Sequence, residues 1–216
     1  SSIIYAPTFG GNRVSLSIHG IEDRIEEINH TLVSYSREVA DAASHKVYVA
    51  ADITTSGKMM APAGEMTYEK AFEMYQEQIG YLKDSGVDLI VAETMINIEE
   101  TLAAVDAASM VCELPILCTM TIDADGSIFS GGNAIEAAVS LEAAGADAVK
   151  VGIAKPNAGM PFIDDQGNAV YSMKAPEFAR HIMALIDAGA GIVGGCCGTT
   201  PEYIREIAAL LAKREK

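Results

Sequence analysis

The sequence is short of the residues that staple or interrupt a chain. It has 7 Pro among 216 residues, too few for extended linkers, and 4 Cys, at positions 112, 118, 196 and 197. Because Cys196 and Cys197 are adjacent, the four make a poor disulfide framework, and reduced thiols open to a metal or to catalysis are expected. Basic charge is scarce as well. Fifteen Lys and Arg stand against 30 Asp and Glu, a formal net charge of −15. That field repels nucleic acid and anionic membrane surfaces, leaving small molecules as the expected partners. No apolar run is long enough to cross a bilayer, and the first residues lack the basic-then-apolar layout of a secretion signal, so a soluble, cytoplasmic protein is expected. The His residues at 19, 30, 45 and 181 show no metal-type spacing and read as solvated or helix-face residues.

What is present is apolar surface in a regular order. Half of the residues are hydrophobic, which predicts one globular domain over 1–216. Apolar β-branched runs at 2–9, 46–52, 87–94, 115–122, 146–153 and 191–197 alternate with amphipathic stretches at 21–43, 67–85, 98–111, 132–145, 174–188 and 201–214. This is the pattern of an α/β protein with a parallel sheet. Thr67, Asn97 and Thr200 before Pro201 are suited to cap helices. The segments Gly86-Val87-Asp88-Leu89, Gly145-Ala146-Asp147-Ala148 and Gly189-Ala190-Gly191-Ile192 echo one another, each reading as a helix that stops at a Gly and turns into a buried strand. The candidates form six βα units, against the eight of a closed barrel.

Function in parallel α/β folds gathers at the carboxyl ends of strands. Those ends carry Thr8-Phe9-Gly10-Gly11-Asn12, Glu93-Thr94, Met120-Thr121 and Gly194-Gly195-Cys196-Cys197-Gly198-Thr199-Thr200. Adjacent Cys flanked by Gly can turn both sulfurs toward one point, which suits a soft metal provided at least one further protein ligand exists. Two other readings stay open for this segment: small buried core residues, or a phosphate cradle of backbone N–H groups at a helix start. Cys112 and Cys118 read as core. Glu93, ending the apolar strand 87–92, needs a partner if buried and could meet a substrate ammonium group; the alternative is a structural ion pair.

The segment Gly194-Gly195-Cys196-Cys197-Gly198-Thr199-Thr200-Pro201-Glu202-Tyr203-Ile204 closely resembles the C-terminal signature of the homocysteine S-methyltransferase family. Pro7-Thr8-Phe9-Gly10-Gly11-Asn12-Arg13, Asp88-Leu89-Ile90-Val91-Ala92-Glu93-Thr94 and Lys155-Pro156-Asn157-Ala158-Gly159-Met160-Pro161 resemble further family segments in the same order. The pattern is most similar to the homocysteine domain of cobalamin-dependent methionine synthase and its stand-alone relatives. The resemblance implies a (β/α)8 TIM barrel and zinc on three Cys thiolates, with homocysteine supplying a fourth sulfur. It makes Cys196 and Cys197 zinc ligands, has Glu93 hold the homocysteine ammonium group, and has Thr8, Asn12 and Asn157 line the pocket. No protein nucleophile is implied.

Two family features are missing from the sequence. The opening strand is absent before Ser1, and after Gly152 the family pattern expects Asn-Cys, a helix and a strand, where Gly152-Ile153 runs into Ala154-Lys155-Pro156-Asn157. The internal loss is roughly 30 residues, the size of one βαβ portion, and would take one zinc Cys with it. The expectation is therefore a natural polypeptide heavier than 22.8 kDa that carries the Asn-Cys segment. The methyl donor stays open among a methyl-corrinoid protein, methyltetrahydrofolate, S-methylmethionine and a betaine, with a corrinoid favoured on resemblance. A corrinoid protein and a homo-oligomer are the macromolecular partners considered. The rival functions are a phosphate-binding barrel lyase or isomerase and a non-catalytic, metal-free relative.

Overall fold

The computed structural model describes residues 1–123, 125–147 and 152–214, with only the backbone for 152–154. The chain divides into two compact units, Ser1–Lys150 and Val151–Lys216.

In the first unit the order is β1 (Ile3–Tyr5), α1 (Arg13–Ser17), α2 (Ile25–Asp41), β2 (Tyr48–Thr54), α3 (Tyr68–Leu82), β3 (Leu89–Met95), α4 (Ile98–Val111), β4 (Ile116–Met120) and α5 (Ala134–Ala143). The four strands pair in parallel in chain order, β1-β2-β3-β4. Their central members are buried on both faces: Val49, Ala50, Ala51 and Ile53 of β2 and Ile90, Val91 and Ala92 of β3 are fully enclosed. That is why these strands read as unbroken apolar runs rather than as alternation. Helix α3 turns Ala71, Met74, Tyr75, Gln78, Ile79 and Leu82 inward, one stripe at helical spacing, and packs on α4. The small residues Ala103, Ala104, Ala107 and Ala108 of α4 belong to the same core. Side chains of Thr67, Asn97 and Asn133 cap α3, α4 and α5.

The echoed segments are αβ turns. Gly86, Gly145 and Gly189 all take left-handed angles, φ 96°, 100° and 108°, at the ends of their helices. In the first two, the Asp that follows clips the neighbouring strand. Asp88 accepts from the Val49 amide at 2.8 Å and donates its own amide to the Val49 carbonyl at 2.8 Å. Asp147 treats Ile116 in the same way, at 3.0 and 2.9 Å.

Asp88 also meets the Arg37 guanidinium at 2.8 Å. Partial burial pushes its carboxyl upward, but the Val49 amide and Arg37 outweigh it and hold the group below the usual carboxylate range. A carboxyl with a depressed pKa stabilises the fold above its unfolded-state pKa and loses that contribution as pH falls through the folded one. Asp88→Asn should therefore lower stability by about 1 kcal/mol at neutral pH. The gap to the parent should close below about pH 4, as urea denaturation at both pH values will show.

The second unit contains β5 (Gly152–Ala154), β6 (Pro161–Ile163), β7 (Ala169–Tyr171), α6 (Ala175–Asp187), β8 (Ala190–Val193) and α7 (Pro201–Arg214). Strand β5 pairs in parallel with β8, while β6 and β7 form an antiparallel hairpin with Phe162 opposite Val170. Phe178, Ala179, Ile182 and Ile207 make a separate small core, where the rings of Phe178 and Tyr203 meet edge to face at 5.4 Å.

The six expected strands and six expected helices are found, apart from the strand at 146–153, which falls partly outside the described residues. The first strand is much shorter than 2–9, because Pro7 has no N–H for a ladder and Thr8 turns back to bond the Ala6 carbonyl. The last ends at Val193, where Gly194 and Gly195 leave the sheet. Helix α1 and the β6–β7 hairpin were not expected. The described residues form a four-stranded and two two-stranded sheets rather than a closed eight-stranded barrel. Among them no helix is long and apolar enough to cross a membrane.

Candidate functional site

In the first unit the strand ends bring together Thr8, Asn12 and the end of β2, with Glu93 on the next strand. Thr8 is fully buried; its hydroxyl donates to the Asp52 carbonyl at 2.8 Å and accepts from the Asp52 amide at 3.0 Å. Asn12 is also fully buried and caps α1, its Oδ1 accepting from the Ser15 amide at 2.8 Å. Its amide nitrogen has no hydrogen-bond partner among the described residues. Glu93 is 9% exposed and lies in register with Thr54, whose hydroxyl donates to the Glu93 carbonyl at 2.8 Å. The next residue, Thr94, has φ 57°, a left-handed angle that a β-branched residue adopts only under constraint, and the β3–β4 register shifts there. Strain of this kind clusters at functional sites.

The turn carrying Thr8 and Asn12 is held from behind by two polar residues on the buried stripes of α2 and α3. Gln78 donates to the Thr8 carbonyl at 3.0 Å and to Asn29 at 3.2 Å. Asn29 donates to the Gly11 carbonyl at 2.9 Å. A Cβ at residue 11 would lie 2.6 Å from Asn29 Oδ1 and 2.9 Å from Gln78 Nε2, so only Gly fits between turn and helices. Sequence reasoning missed Asn29, Gln78 and the buried acid Asp52. The available signal was a polar residue at an apolar position of a helix stripe or strand.

In the second unit the structure brings Cys196, Cys197 and Asn157 together. The two sulfurs are 3.9 Å apart. Asn157 Oδ1 accepts from the Cys197 amide at 3.1 Å, the Cys196 amide donates to the Pro156 carbonyl at 3.1 Å, and the Ala158 amide donates to the Cys197 carbonyl at 3.0 Å. The Lys155–Gly159 segment and the Cys loop are thus laced together. Tyr171, which sequence reasoning did not single out, lies against the same loop: a Cβ at residue 198 would stand 2.2 Å from its Cγ. Partial burial first, and the two thiols second, push its phenol above the usual range.

Two sulfurs on a tetrahedral zinc with bonds near 2.3 Å stand about 3.8 Å apart, so this pair fits one edge of such a site without rearrangement. The described residues contain no cluster of three or more His, Cys, Asp or Glu side chains placed to hold a metal. The same loop makes a poor phosphate cradle. Its Cys196, Cys197 and Thr199 amides are all taken up inside the protein, and the Glu202 amide at the start of α7 is capped by Thr200 at 3.3 Å. Cys112 and Cys118 pack against the core of the first unit, as expected, and burial pushes the Cys118 thiol up to about 12. Iodoacetamide at pH 8 should therefore label the exposed Cys197 and spare Cys118, as peptide mass mapping will resolve. Rapid labelling of Cys118 would contradict its placement.

These features define a parallel α/β protein with a paired-thiol loop at a strand end. The chain belongs to the homocysteine S-methyltransferase family, whose sequence model matches residues 1–154 and 147–211. It is 26% identical to a methionine synthase of Mycobacterium leprae over 245 residues, covering 99% of this chain and 20% of that protein. It is 28% identical over 237 residues to a methionine synthase of Mycobacterium tuberculosis, covering 95% and 20%. The chain thus spans about a fifth of the length of these relatives. The homocysteine methyltransferase MmuM of Escherichia coli has a similar fold. Its oxidised form matches with TM-score 0.73 at 18% identity, over 99% of this chain and 80% of that one. Its metallated form matches with TM-score 0.73 at 16% identity, over 97% and 80%.

Proposed function

We propose that this chain is the homocysteine-binding part of a zinc-dependent methyltransferase, in which Cys196 and Cys197 hold the metal and the substrate sulfur accepts a methyl group to give methionine. The observation that carries this reading is the 3.9 Å separation of the two sulfurs on a loop whose Cys196, Cys197 and Thr199 amides are engaged elsewhere. When bound, zinc would supply the positive charge that keeps a substrate thiol ionised at neutral pH. The chain's own residues do the rest. Asn157, through the Cys197 amide, and Pro156, through the Cys196 amide, fix the loop so that the thiols share one direction. Glu93 offers a carboxylate to an ammonium group. Asn12 offers a buried amide N–H to an acceptor such as an amino-acid carboxylate. Thr8 shapes the wall beside them. Holding the substrate in line with the donor is the remaining contribution of the protein.

The reading requires a third ligand and a closed barrel. The alignment to the Mycobacterium leprae relative occupies 245 positions on a chain of 216 residues, and the family match restarts between 147 and 154. Both favour an internal stretch, Asn-Cys included, that this chain lacks at the place where family barrels continue. Barrel closure over 1–216 as one domain, a cytoplasmic location and a corrinoid, folate or S-methylmethionine donor belong to the same proposal. The test is intact mass with zinc content on protein purified from its natural source without chelator. A mass well above 22.8 kDa with one zinc per chain is expected. A mass of 22.8 kDa with no zinc overturns the catalytic reading and favours a metal-free relative.

A further inference from the structure

Up to Ala92, strand β3 pairs regularly with β4, Ile90 opposite Ile116 and Ala92 opposite Cys118, but the next pair is Met95 opposite Met120. Glu93 and Thr94 therefore stand opposite the single residue Thr119. Two residues against one make a β-bulge, a feature that re-aims side chains and is frequent beside active sites. Its effect shows in the packing. Ile90, Ala92 and Met95 all belong, with Ile116, to the core shared with α3 and α4, and Cys118 and Met120 pack against it. A regular strand would turn Met95 to the other face, because successive side chains alternate. The extra residue returns Met95 to the core, while Glu93, next to Ala92, is directed to the opposite face with its register partner Thr54.

The bulge requires the left-handed angle of Thr94, φ 57°, which a β-branched residue does not adopt unaided. Thr94 is exposed, so burial of its side chain does not offset the strain. The contact that holds it comes from β4. The Thr94 amide donates to the Thr119 hydroxyl at 3.0 Å, and the ladder resumes where the Thr121 amide donates to the Met95 carbonyl at 2.8 Å.

We propose that Thr119 is a positioning residue for Glu93: its hydroxyl takes up the amide that the bulge removes from the ladder, fixes Thr94 in the left-handed region and so aims the Glu93 carboxylate at the ammonium group of an amino-acid substrate. The inference rests on reading Glu93 as the ammonium partner. Neither thiol takes part in it.

The test is isothermal titration calorimetry on the full chain without metal, with L-methionine and with its analogue that lacks only the amino group. The ratio of the two affinities isolates the ammonium contact. The parent is expected to prefer L-methionine by about tenfold or more, the worth of a hydrogen bond to a charged group, and Glu93→Gln to lose that preference. Thr119→Val keeps the shape and removes the hydroxyl; it is expected to lose most of the preference while binding the analogue as the parent does. Thr119→Ser should restore it. Gly takes a left-handed angle without strain, so Thr94→Gly combined with Thr119→Val should restore it as well, and this pair decides the matter if Thr119→Val alone does not fold. An unchanged preference in Thr119→Val, or none in the folded double variant, overturns the inference and leaves Glu93 as the ammonium partner. A parent that does not prefer L-methionine, or a Glu93→Gln chain that still does, overturns that reading and the inference with it.

Discussion

Replacing Cys196 and Cys197 together by Ser is expected to abolish zinc uptake and to slow methyl transfer to homocysteine roughly a thousandfold or more, while the thermal unfolding midpoint of the metal-free protein stays nearly constant. The first part follows from ligand chemistry: hydroxyls replace the only soft donors on the loop, and metal activation of a nucleophile contributes several kcal/mol to such a step. The second follows from burial. Cys197 is exposed and Cys196 only partly covered, and neither belongs to the Phe178–Ile207 core, so little apolar contact is lost. Metal analysis, methionine formation and a thermal melt on one preparation separate the two effects. A double variant that keeps stoichiometric zinc removes the basis of the proposed mechanism.

The second large effect is one of stability and sits away from the thiols. Glu100 is fully buried on the first turn of α4, where the helix dipole favours its charge. Its oxygens accept from the Thr55 hydroxyl at 2.6 Å, the Ser56 amide at 2.6 Å and the Tyr75 hydroxyl at 3.3 Å. Glu100→Ala leaves these donors facing a cavity, and only the Tyr75 hydroxyl has a second acceptor, the Thr54 carbonyl at 3.0 Å. The cost is expected to be about 3 kcal/mol, near 10 °C in melting temperature. Glu100→Gln should recover only part of it, since one amide face presents N–H groups to donors. Denaturant titration of both variants measures this, and a loss below about 1 kcal/mol for Glu100→Ala would show that the network contributes little.

Much of the secondary structure was legible because it depends on near neighbours. Helices α4 and α7 fall at 98–111 and 201–214, as the apolar spacing indicated. The αβ turns at Gly86, Gly145 and Gly189 were readable because a helix stop followed by an apolar run is a local signal. The β6–β7 hairpin was not, since three-residue strands beginning at Pro161 are too short to show alternation. The Cys pair and Glu93 stood out by residue type at strand ends, and Asn157 only through the family resemblance. Asp52, Asn29, Gln78 and Tyr171 did not, because each gains its importance from a partner more than fifteen residues away.

Composition, the order of βα elements, the paired thiols and the family signature are properties of the chain itself, set by side-chain chemistry and short-range backbone preference. Tertiary structure alone decided that the Cys196 and Cys197 amides are already paired, that the sulfurs stand at the separation a tetrahedral ion requires, and that Tyr171 lies on Gly198. Those facts depend on contacts between segments distant in sequence, whose geometry is set by packing and by the need of every buried polar group for a partner.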